Sequence, residues 1–163
     1  GSADLRGANL READFSNVAG PGLNLSGANL SNWRASAHCT LEAALLAHAD
    51  LSQACLQHCD LSGADLRGAT LNAALLQHCN LSATHGAQLV AQNAYFIDCN
   101  LSNAQWPEAN LLGSRLRKVC LEQVDLRSSN LHGLRSEGAN SKEIYLNHAL
   151  MTRCNLREDL ASG

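Results

Sequence analysis

Three short stretches set a histidine beside a cysteine at twenty-residue intervals: AHCTL at 37–41, QHCDL at 57–61 and QHCNL at 77–81. Imidazole and thiolate both ligate transition metals, and a thiolate is also a nucleophile and a redox centre. His38-Cys39, His58-Cys59 and His78-Cys79 therefore pose a choice between a repeated metal or redox site and a structural ladder. The chain has seven cysteines, an odd number, and none falls in a CxxC pair, so a disulfide framework is not indicated. Reduced thiols in a cytosolic compartment fit better. What these residues can do depends on where the intervening chain points them.

That chain steps in fives. ADLRG-ANLRE-ADFSN at 3–17 and CDLSG-ADLRG-ATLNA at 59–73 each carry one large apolar residue per step, here called the centre. From Leu41 to Leu156 there are 24 such positions, and 20 hold Leu, Phe, Trp or Met; Gly86, Ala91, Ser136 and Ser141 are the exceptions. Two residues before each centre stands a small or aliphatic residue, and the other three positions are mostly polar. Neither a strand of period 2 nor a helix of period 3.6 generates this pattern. Two inward and three outward residues per five require a chain that turns a corner at every step.

The A-(D/N)-L-x-x pattern resembles that of the pentapeptide-repeat family, and the resemblance covers nearly the whole chain. It implies an all-β fold, a right-handed quadrilateral parallel β-helix in which four pentapeptides make one coil. Both the centre and the residue two before it then point inward. Neighbouring coils pair their backbones about 4.8 Å apart, so about eight coils give a rod roughly 40 Å long. Residues twenty apart share a column. One domain spanning 1–163 is expected, with Gly1-Ser2 read as a cloning scar and the whole as a fragment of a longer protein. A register slip falls at 31–40, where the centres shift by one residue. VAGPGL at 18–23 surrenders a centre at Gly20, and 84–93 is irregular in composition; Gly86 shares a column with Trp106, which suggests that the ring fills the missing side chain's space. REDLASG at 157–163 reads as a fraying end.

Columns answer the opening question. Cys39, Cys59, Cys79 and Cys99 stand two before a centre, facing inward, where cysteine acts as a small hydrophobe. The histidines fall at outward corners. Adjacent His and Cys then face opposite sides of the wall and cannot grip one ion. No metal or other cofactor is expected; His38, His58 and His78 are only a weak candidate metal column, and a solvated ladder is the preferred reading. The charges look paired up the columns: Arg117, Glu137 and Arg157 alternate, Glu122 lies below Lys142, and Asp98 below Lys118.

Composition excludes more than it selects. A net charge of −3 does not nominate nucleic acid or an acidic membrane as partner, and aromatics are only 4% of residues, leaving Leu and Ala to fill the interior. No apolar run is long enough to span a membrane. No phosphate loop or nucleophile elbow appears, and a filled square rod offers no catalytic pocket, so no enzyme activity is expected. Recognition is sought where the pattern breaks or cations gather: Trp33 and Arg34 at the slip, Gln88 and Tyr95 in the irregular middle, and Arg115, Lys118, Arg127 and Arg135 on later coils. The expected function is a non-catalytic rigid interaction module or scaffold for an unidentified protein, as part of a cytoplasmic bacterial protein or of a secreted effector. The resemblance adds two expectations: homodimerisation through the rod ends, and, as an alternative, DNA mimicry directed at gyrase. The second needs a markedly negative rod, and many acids here (Asp4, Asp14, Asp50, Asp60, Asp65, Asp125) occupy the motif's own Asp/Asn position. A metal- or redox-responsive rod is the remaining alternative.

Overall fold

A computed structural model describes residues 3–140 and 142–156. The chain forms the expected right-handed quadrilateral parallel β-helix. One side stacks Asp4, Asn24, Leu45, Asp65, His85, Gln105, Asp125 and Tyr145 as parallel rungs. The strands proper are short: β1 (Arg34–Ala35), β2 (Cys39–Thr40), β3 (Cys55–Gln57), β4 (Cys59–Asp60), β5 (Leu75–Gln77), β6 (Tyr95–Ile97), β7 (Arg115–Arg117), β8 (Val124–Asp125), β9 (Arg135–Glu137) and β10 (Ile144–Tyr145). Continuous sheet extends over six strands, β1-β3-β5-β6-β7-β9, somewhat short of the eight coils expected; beyond these, the two-stranded sheets β2-β4 and β8-β10 and single bridges carry the stacking.

The two inward positions are buried along nearly the whole rod, from Leu23 and Leu25 to Leu131 and Leu134. A fully buried leucine stabilises by about 1.5–3 kcal/mol over an exposed one, and the leucine stack supplies this at rung after rung. Where the centre is small, a large residue two before a centre makes up the volume. Leu23 packs on Gly20, Trp33 precedes Ala35, Leu89 precedes Ala91, and Leu134 precedes Ser136. Trp33 is thus wholly buried, edge-on to Phe15 at 5.2 Å. Trp106 fills the space left by Gly86, where an added Cβ would lie 2.5 Å from its Cδ1.

The outward positions explain the rest of the motif. The Asp or Asn before the centre accepts a hydrogen bond from the backbone N–H two residues on, as at Asp14–Ser16, Asp50–Ser52, Asp60–Ser62 and Asn100–Ser102. At most corners the N–H three residues after the centre bonds back to the centre's carbonyl, as from Ala64 to Leu61. The residue between, two after the centre, takes a left-handed φ that the five-residue step alone did not disclose. Gly63 adopts it at 65° without strain, whereas His58, Ala73 and His78 adopt it at 53°, 55° and 53°.

Rung pairing locates the extra residue. Asp14 pairs with Arg34, twenty residues on, but Ala19 pairs with Thr40, 21 on. Between them the N–H of Asn17 bonds to the carbonyl of Ala37, so the added residue is absorbed at the corner after Ala35. The segment 84–93, unusual in composition, coils like its neighbours: His85 pairs with Gln105 and Val90 with Asn110.

Charge pairing differs from the columns read in the sequence. Among the described residues the ion pairs run along the coil, Arg6–Asp4 at 2.8 Å, Arg11–Glu12 at 3.3 Å, and Arg67–Asp65 and Arg127–Asp125 at 2.6 Å. An arginine after the centre folds back on the aspartate before it, which is nearer than the next rung's charge can reach. The upright contacts are hydrogen bonds instead, among them Gln57 to Gln77, Gln88 to Glu108 and Gln123 to Glu143. Arg157, Ser141 and the stretch 157–163 lie outside the described residues.

Candidate protein-binding face

Four of the cysteines that stand two before a centre stack in one column, as read. Cys39, Cys59, Cys79 and Cys99 are buried, and Cys39 is a register partner of Cys59. The thiols of Cys79 and Cys99 lie within donating distance of the carbonyls of Leu56 and Leu76 one coil below, 3.5 and 3.4 Å away. Bonding to Cys39 and Cys79, then burial, pushes the Cys59 thiol up; bonding to Cys79, then burial, does the same for Cys99. Cys39 and Cys79 are pulled down as the other partners in those contacts. The column is closed to solvent on every rung, and its sulfurs serve the packing.

The histidines point the other way, at left-handed corners. The rings of His58 and His78 stack in parallel, 4.9 Å apart at 7°. Among the described residues no group of three or more His, Cys, Asp or Glu side chains converges to hold a metal. A straight column presents one nitrogen edge per rung and no fourth direction of approach.

The side of the rod that carries the long sheet differs from the other three. Its rungs β3, β5, β6, β7 and β9 are three residues long, so each shows two outward side chains flanking a buried centre. Along the sheet these change character. Gln57 and Gln77 are joined at 2.9 Å low on the face. Leu75, Tyr95 and Ile97 make an apolar middle, with Tyr95 41% exposed. Arg115, Arg117 and Arg135 make a basic end, each exposed. The Arg115 guanidinium lies 5.6 Å from the Tyr95 ring centroid, and the cation and ring attract one another. Between the middle and the basic end is a cleft of about 420 Å³.

Of the residues singled out in the sequence, Tyr95, Arg115 and Arg135 meet here. Lys118 stands at the adjoining corner, exposed, with its N–H on the Glu137 carbonyl. Arg34 lies on β1 of the same sheet but four strand spacings from β7, roughly 19 Å away. Gln88 is at a different corner, bonded to Glu108 at 3.0 Å. Arg127 lies on another side, held by Asp125 beside Tyr145, and its hydrogen bonds to that carboxylate raise its pKa further. Trp33 is core, because it compensates for the small Ala35, and it offers no surface to a partner. Ile97, Arg117 and Leu75 stand on the same face and were not singled out for binding in the sequence. Each lies one residue from a centre on this side, so reading both outward columns beside Tyr95 would have found them.

A family model described as Pentapeptide repeats matches residues 2–32, 44–82 and 94–133 in 8 copies. No curated protein matches the chain. Among solved structures it is similar to QnrB1, a plasmid-mediated fluoroquinolone resistance protein, at 22% identity, covering 91% of this chain and 76% of that one with a TM-score of 0.54. It is similar to Rfr23, a pentapeptide repeat protein of the cyanobacterium Cyanothece 51142, at 31% identity over 60% of this chain, with a TM-score of 0.35; the match spans 64% of Rfr23. HetL of Nostoc sp. strain PCC 7120, involved in heterocyst differentiation regulation, is matched at 21% identity over 93% of this chain and 90% of that one, with a TM-score of 0.31.

Proposed function

The chain belongs to the pentapeptide-repeat family, and we propose that it works as a rigid, non-catalytic protein-interaction rod that engages its partner through the long-sheet side. The observation that carries this reading is the cluster of exposed Tyr95, Arg115, Arg117 and Arg135 with half-buried Ile97 on a face that the core holds in place. Tyr and Arg are the residues that most often supply binding energy at protein interfaces. A sheet stacked from end to end presents them without the ordering cost that a loop incurs. The interior is committed to packing: the buried hydroxyls of Thr84, Ser114 and Ser129 donate to the backbone carbonyls of Leu81, Ala91 and Trp106. No helix among the described residues is long and apolar enough to cross a membrane. A cytoplasmic setting accords with seven free cysteines.

The surface charge favours this over DNA mimicry. Asp4, Asp65 and Asp125 are neutralised by Arg6, Arg67 and Arg127, and the other motif aspartates hold turns. Leu5, Phe15 and Val18 line an apolar hollow of about 590 Å³ on the earliest described coil, a surface that end-to-end contact with a second copy, or a preceding stretch of chain, would cover. The test is affinity capture from bacterial lysate with cross-linking, run beside gyrase supercoiling with and without a quinolone. A partner retained through the long-sheet side supports the module. Gyrase inhibition or drug rescue at stoichiometric rod would replace it with the mimic.

A further inference from the structure

We propose that the cleft over β6, β7 and β9 binds a short acidic segment of the partner protein, one with an apolar side chain among its carboxylates. This rests on the interaction-rod reading and gives that rod's site its chemistry. Elsewhere on the rod, Arg6, Arg67 and Arg127 each fold onto an aspartate two residues earlier. On this side the position before the centre is itself arginine: Arg115 and Arg135 are register partners, one strand spacing or about 4.8 Å apart. Among the described residues no carboxylate lies within ion-pair distance of Arg115, Arg117 or Arg135. Like charges directly opposite in a ladder repel. The single acid of the cleft, Glu137, leaves it net positive against three guanidinium groups.

A carboxylate bridging Arg115 and Arg135 would relieve that repulsion and accept their forked N–H donors, the strongest common hydrogen-bonding geometry for the group. Beside it Tyr95 and Ile97 give an apolar side chain a place to leave water. A long polyanion such as duplex DNA is disfavoured: the cationic area is confined to one end, and residues 1–107 carry 4 basic against 8 acidic groups.

The test is selection of random displayed peptides on the intact rod, followed by fluorescence anisotropy of the enriched peptides. Enrichment of Asp/Glu-rich peptides with an embedded Leu, Phe or Tyr is expected. The double variant Arg115→Glu/Arg135→Glu should weaken them by about tenfold or more, the loss of at least one charge-assisted bond. Unchanged circular dichroism and melting of that variant show the loss to be local, since both side chains are exposed. Lys-substituted versions of the peptides should regain affinity for it. No acidic enrichment, unaltered binding by the variant, or equal competition by duplex DNA would each overturn the proposal. Lysate capture separates the two levels: partners held equally by parent and variant overturn this site alone, whereas no partner held by either overturns the rod's interaction role.

Discussion

The interlock of Gly86 and Trp106 provides a quantitative handle on the core. Gly86 does not need a left-handed backbone, so its replacement by alanine tests space alone. The added Cβ would lie 2.5 Å from Trp106 Cδ1 and 2.8 Å from its Nε1, against ordinary contact at 3.4 Å, so the indole must retreat by about 0.9 Å. It cannot do so freely. Phe96 packs against it at 5.8 Å, and its N–H donates to Thr84 Oγ1 at 3.0 Å. Overpacking of this kind costs about 1–3 kcal/mol, and the strained or lost buried hydrogen bond adds about 1 kcal/mol. Gly86→Ala should therefore destabilise by about 2–4 kcal/mol, lowering the melting midpoint by roughly 4–16 °C in a chain of this size. Trp106→Leu opens a cavity and destabilises by itself, but in that background Gly86→Ala should become neutral or stabilising, a coupling of more than about 1 kcal/mol. Urea and thermal unfolding of the four proteins give the cycle. A midpoint for Gly86→Ala within about 1 °C of the parent, or the same penalty in both backgrounds, would refute the interlock.

Other perturbations probe the wall. Ala73 holds φ at 55°, which costs an L-residue about 1–2 kcal/mol, while glycine's greater unfolded entropy costs about 0.5–1 kcal/mol; Ala73→Gly should stabilise slightly, by up to about 1.5 kcal/mol in urea unfolding, and Gly63→Ala should do the reverse. Hydrogen bonds from Arg67 and Arg127 hold the carboxyls of Asp65 and Asp125 below their ordinary range. Because the folded values are the lower ones, that stabilisation is complete above about pH 4 and is lost as the pH falls through them. Arg67→Ala/Arg127→Ala should flatten the acid limb of a stability–pH curve while costing less than about 1 kcal/mol at neutral pH, since the arginines are largely exposed; an unaltered limb would count against the pairs. Thiol alkylation followed by mass spectrometry should label Cys55 and Cys120 in the native rod and reach Cys39, Cys59, Cys79 and Cys99 only on unfolding; early labelling of Cys79 would disprove a closed column.

The five-residue step made the architecture legible because each step repeats one physical act, two side chains in and a corner out. Phase, together with the inward positions that the family resemblance implies, placed Cys39, Cys59, Cys79 and Cys99 inside, and phase paired Gly86 with Trp106. What escaped was set between steps. The exchange of volume that buries Trp33 beside Ala35 is invisible to a rule that expects the large residue at the centre. Arg127 looked available by composition, but Asp125 lies two residues away on the same straight segment. Gln88 belonged to a stretch whose sequence looked irregular, although its backbone is ordinary. The candidate face was half visible: Tyr95, Arg115 and Arg135 were legible from the sequence, whereas Ile97 and Arg117 required knowing that this side's rungs expose two residues each.

The identical rungs at 57–59 and 77–79 bear on how such a rod is lengthened. Gln57 lies under Gln77, His58 under His78 and Cys59 under Cys79, each touching or stacking on its own kind. Copying a tract of about sixty nucleotides in frame would insert one whole coil, lengthen the rod by one spacing of about 4.8 Å, and leave every later residue facing the same way. The corner after Ala35 extends that tolerance to a single codon, since the added residue there leaves the rungs above in phase. Length in this protein is thus a heritable quantity that can change in whole units without redesign of the ends. A binding face placed near one end can be carried farther from the other by duplication of its plain middle.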